Sequence, residues 1–84
     1  MESRMEIESY AVWFSEKRIF WTLVETTIEG SNFDILVTEV KTGDQHSFKL
    51  PEAHSGSLPF QFIPQTRYTV QLLNMGNIYA LSTT

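Results

Sequence analysis

An all-β fold, an antiparallel sandwich of two sheets and about seven strands, is what this sequence predicts. Three observations lead to it. Nine threonines and an aromatic content of 13% favour a pleated, half-buried backbone. Apolar residues recur at every second position through most of the chain, the period of a strand. The alternating runs are short and turn chemistry separates them at intervals of roughly 8–12 residues, the spacing of a sandwich. A single open sheet would leave one apolar face unburied.

Residues 1–6 carry no alternation and read as a flexible N-terminal tail. Residues 5–17 fit two periods. Ile7, Tyr10, Ala11 and Phe14 make a helical stripe, with Lys17 and Arg18 as last-turn cations. Tyr10, Val12 and Phe14 alternate equally well as a strand, and the β-branched and aromatic content favours that reading. In residues 18–24, Ile19, Trp21 and Leu23 form one face of a strand. Gly30-Ser31-Asn32 breaks the chain. Phe33, Ile35 and Val37 then alternate with Asp34, Leu36 and Thr38. Lys41-Thr42-Gly43-Asp44 is turn chemistry, and His46, Phe48 and Leu50 alternate after it, so residues 33–50 read as a hairpin. Residues 51–57 read as a polar loop and residues 58–62 as extended. Pro59 lacks a ladder donor, which suits an edge or a bulge. Tyr68, Val70 and Leu72 alternate with Thr69, Gln71 and Leu73, residues 74–77 form a short turn, and residues 78–83 make the last strand.

Composition bounds the function. The 84 residues suffice for a single domain spanning 1–84, too small for a deep cofactor pocket or a two-domain catalytic cleft. A net charge of −4 argues against a nucleic-acid partner, which calls for a stripe of Lys and Arg. The absence of cysteine excludes a disulfide scaffold, a thiolate zinc site and a cysteine nucleophile, while leaving the compartment open. No run of about 18 apolar residues occurs, so no membrane insertion is expected of this segment. The acidic first residues lack the apolar stretch of a signal peptide.

One run is more specific than periodicity. The segment Phe62-Ile63-Pro64-Gln65-Thr66-Arg67-Tyr68-Thr69-Val70 resembles the fibronectin type III pattern apolar-x-Pro-x-Thr-x-Tyr-x-Val. Its physics is self-consistent. Pro64 fixes φ where the chain crosses between sheets, and Tyr68 opens the next strand with a ring to bury and a hydroxyl to bond back, near residues 64–66. That arrangement is a tyrosine corner. Trp21 is similar to the tryptophan of the family's second strand, and Phe33, Ile35 and Val37 to its third strand, with Phe33 where Tyr is usual. Lys17 departs from the pattern, standing where an inward apolar residue is usual, and no Arg-Gly-Asp occurs. The resemblance covers most of residues 19–84. It implies a structural core containing Trp21, Phe33, Ile35, Pro64, Tyr68 and Val70. It further implies a non-catalytic interaction or spacer module in a larger receptor, adhesion or scaffold protein, more often extracellular than cytoplasmic. The partner would be another protein or a neighbouring domain of the same chain, with no cofactor. The alternative is a stand-alone intracellular regulator that docks on a partner protein and inhibits it.

Catalytic and metal constellations are weak. His46 and His54 have only Asp44 and Glu52 as nearby co-ligands and read as solvated, so no metal is expected. Ser55 and Ser57 flank Gly56 beside His54 without forming a Gly-x-Ser-x-Gly elbow. Glu25, Glu29, Asn32 and Asp34 lack the spacing of a calcium loop. No enzyme is expected. The informative residues are aromatic: strand parity turns Phe20 away from Trp21, and Trp13 away from Val12 and Phe14. Trp13 and Phe20 are therefore the candidate partner-binding surface.

Overall fold

The computed structural model describes residues 3–6, 10–23, 33–51 and 55–83. Eight strands run through them: β1 (Ser3–Glu6), β2 (Ala11–Phe14), β3 (Arg18–Thr22), β4 (Phe33–Glu39), β5 (Gln45–Lys49), β6 (Ser55–Pro59), β7 (Tyr68–Asn74) and β8 (Asn77–Thr83). They form two antiparallel sheets, one of five strands in the order β1-β8-β7-β4-β5 and one of three in the order β2-β3-β6. The expected sandwich is all-β as read. Its count differs by one, because Ser3–Glu6 does not behave as a tail: it pairs with β8 from Ser3↔Thr83 to Glu6↔Ala80. Alternation is a side-chain signal, and a strand held at a sheet edge by backbone ladder bonds need not show it. The choice left open for residues 5–17 resolves to strand over Ala11–Phe14, where cross-strand pairing with β3 supplies partners that an isolated helix of this length would lack.

The core lies between the sheets. Val12, Ile19 and Trp21 from the three-stranded sheet meet Phe33, Ile35, Val37, Tyr68, Val70, Leu72 and Ala80 from the other. β4 and β7 share one burial alternation because each has an apolar face toward the core and a neighbour on both sides. Ser82 is the one buried polar residue among those described, and its Oγ donates to the Val12 carbonyl of the opposite sheet. Two aromatic groups close the ends. Tyr10, Phe33 and Tyr79 meet at one, with centroids 4.8–5.8 Å apart. Phe14, Phe60, Phe62 and Tyr68 meet at the other, where Phe62 lies 5.0 Å from both Phe14 and Tyr68.

Five of the six residues expected in the core are buried: Trp21, Phe33, Ile35, Tyr68 and Val70. Pro64 is the correction, since it is exposed. It occupies the turn Pro64-Gln65, where Gln65 has φ 61°. Proline followed by positive φ is the pattern of a type II turn, so Pro64 contributes a fixed φ at the surface rather than apolar volume inside. The tyrosine corner also differs in detail. The Tyr68 hydroxyl accepts the Ile63 N–H at 3.2 Å, just upstream of the expected residues 64–66. The crossing segment is held to the β2–β3 turn by Phe60 N–H to the Lys17 carbonyl (3.0 Å) and Phe62 N–H to the Glu16 carbonyl (3.2 Å). Lys17, out of place as an inward strand residue, is exposed in that turn.

The extended stretch around residue 58 begins earlier than read, since β6 takes in Ser55 and Gly56, both assigned to a polar loop. Gly56 pairs with Trp21 and lies beneath its ring. A Cβ built there would stand 2.7 Å from Trp21 Cη2 and Cζ2, closer than van der Waals contact permits. The polar composition of residues 55–57 marks an edge strand with no apolar face of its own at its start, hence the misreading. In β8 a bulge between Leu72↔Ala80 and Leu73↔Ile78 inserts Tyr79. Beyond it the parity inverts, so Tyr79 packs on the core while Ile78 faces out.

Candidate interaction surface

The outward face of the three-stranded sheet is built by parity. On β3, Ile19 and Trp21 enter the core, so Arg18, Phe20 and Thr22 face the other way. On β2, Val12 is buried in the core and Trp13 is opposite it. The antiparallel register sets Trp13 directly across from Phe20 and Phe20 across from Ser57. Directly opposed side chains stand close enough for aromatic contact, and the two rings stack with centroids 5.7 Å apart and planes 11° from parallel. Each is half-buried, and neither packs on the core. Both candidate residues therefore come together, as a single stacked pair.

Sequence reasoning missed their neighbour. Arg18 donates from Nε (3.1 Å) and Nη2 (3.0 Å) to Ser57 Oγ, which lays the guanidinium along the same face beside Phe20. Its parity with Phe20 was visible in the sequence; its anchor was not, because Ser57 lies 39 residues away on β6. A cation held by hydrogen bonds next to stacked rings retains donors for a partner, and ordering it beforehand lowers the entropy lost on binding.

The remaining chemical candidates do not converge. His46 is exposed on β5, with its ring edge-on to Phe60 at 5.4 Å. Ser57 is engaged by Arg18, and Gly56 by the Trp21 ring. Among the described residues no three His, Asp or Glu side chains are grouped to hold a metal ion. His54, Glu25, Glu29, Asn32 and Glu52 lie outside the described residues. Among the described residues no helix is long and apolar enough to cross a membrane. Comparison with known proteins finds no matching family model, no matching curated protein and no matching solved structure.

Proposed function

We propose that this chain is a non-catalytic interaction module, of fibronectin type III kind, that binds a protein partner or a neighbouring domain through the outer face of β2-β3-β6. The observation that carries this reading is the Trp13–Phe20 stack, standing off the core with Arg18 fixed beside it. Trp, Arg and large aromatic side chains dominate binding energy at protein interfaces, because they bury much area while losing few torsions. The resemblance of residues 62–70 to the fibronectin type III pattern supports it, beside the burial of Trp21 and Tyr68. Sandwich folds host many functions, so the reading rests on the surface and not on the fold.

The test is a thermal melt run beside a binding titration of Trp13→Ser and Phe20→Ser against a purified partner recovered with the unaltered domain. Both variants should melt close to the parent and bind the partner weaker by ~2 kcal/mol or more, the scale of an interface hot spot. Unchanged affinity for both would overturn the assignment of this face and favour a spacer.

A further inference from the structure

We propose a second docking surface, at the end of the sandwich formed by the β2–β3 turn, the β4–β5 turn and the crossing before β7, which takes an extended acidic peptide segment with apolar side chains. Two hollows adjoin there. One, of about 510 Å³, runs between Phe14, Lys17, Phe62, Ile63 and Pro64. The other, of about 360 Å³, lies between Val40, Lys41 and Arg67. Gln65 and Thr66 line both, so the two hollows meet at the crossing, and together they form the proposed groove.

Its floor is apolar. The Phe14 and Phe62 rings are half-buried at its base, while Ile63 and Val40 stand 57% and 53% exposed along it. These two are half of the large hydrophobics that are exposed among the described residues. Its walls carry the charge argument. Glu16 and Lys17 balance in the larger hollow while Lys41 and Arg67 outnumber Glu39 in the smaller, which gives the two together a net charge of +1 in a chain whose net charge is −4. Half of the six Lys and Arg residues of the chain are therefore gathered on this one feature. None of the three pairs with a carboxylate among the described residues. A groove that is apolar toward Phe14 and Phe62 and carries its excess of cations at Lys41 and Arg67 complements a segment that combines apolar anchors with carboxylates. The rim is held in place, because Val40 N–H donates to the Arg67 carbonyl at 3.0 Å and the crossing is bonded to residues 16 and 17. This surface lies at the end of the strands, away from the Trp13–Phe20 face, and neither proposal depends on the other.

The probe is a synthetic eight-residue peptide alternating leucine or phenylalanine with glutamate, compared with its counterpart bearing lysine at every glutamate. Backbone amide shifts of the labelled full chain report the site. The acidic peptide should shift residues 14–17, 40–41 and 61–67, and bind at least about tenfold tighter than the basic one, with affinity falling as salt rises. Lys17→Glu and Arg67→Glu, both at exposed positions, should each weaken it severalfold with an unchanged melt, and Lys41→Glu in the separate β4–β5 turn should do the same. Trp13→Ser should leave it unaltered, which separates this site from the sheet face. Equal binding of the two peptides, shifts centred on Trp13 and Phe20, or no saturation by about 1 mM, the weak limit of specific recognition, would each overturn the proposal.

Discussion

At residue 68 a single hydroxyl ties the crossing segment to the strand it feeds. Tyr68 is buried, and the Ile63 N–H that it accepts belongs to a segment outside any sheet ladder. Tyr68→Phe keeps the ring and strands that donor, so it should lower stability by about 1 kcal/mol, read as a shift of the denaturation midpoint at unchanged slope. A midpoint within error of the parent would show that water satisfies Ile63 equally well. Met75 offers the opposite sign. It is 79% exposed at the tip of the β7–β8 hairpin, with φ 50°, followed by Gly76 at φ 86°. Two successive positive φ values make the hairpin turn of type I′, where Asn or Gly is favoured and a side chain such as methionine is strained. Met75→Asn should therefore raise stability by ~0.5–1 kcal/mol, measured in the same denaturant series.

Elements are joined by pairs that only their register makes. Trp21 and Gly56 are 35 positions apart in the chain and directly opposite in the β3–β6 ladder. The indole packs against one side of Gly56, so its bulk is accommodated only because position 56 has no Cβ. Gly56→Ala should cost ~1–3 kcal/mol through displacement of the ring, and Trp21 fluorescence should shift toward red as its cover loosens. An unaltered spectrum and melt would mean that the edge strand yields freely. The Trp21 indole N–H is buried with no acceptor among the described residues, so it contributes packing and no hydrogen bond there. The candidate surface belongs to the same scale. Trp13 and Phe20 were legible as outward residues because a strand's period of two separates them from Val12 and Trp21. Their stacking was not, since it depends on the β2–β3 register, and neither was Arg18's place beside them, which depends on β6.

For the molecule as a whole, stability rests on one interior. A domain of 84 residues has about 4–13 kcal/mol in total at the usual stability per residue. Trp21→Ala should remove ~3–5 kcal/mol of it, read as a large fall of the denaturation midpoint, and at the low end of that range nothing is left to hold the fold. Trp13→Phe leaves Trp21 as the only tryptophan. At 3% exposure it should emit in the blue and resist iodide, whereas in Trp21→Phe the remaining half-buried Trp13 should be quenched. Free quenching of Trp21 would contradict its position between the sheets.

Fold class, the inward and outward faces of β3, β4 and β7, and most of the apolar residues that fill the core were legible in the sequence alone. Those properties follow from side-chain period and polarity, which are local. Tertiary structure decided the rest. Ser3–Glu6 became an edge strand through backbone pairing that no side-chain pattern announces. Pro64 went to the surface because its contribution is a dihedral angle and not a volume. Tyr79 turned inward because a bulge reversed the parity of β8 partway along. The stacked pair with its guanidinium, and the cationic groove at the end of the sandwich, exist only where strands distant in sequence are brought into register. Proximity between such residues is set by the sheet topology, and no local pattern encodes it.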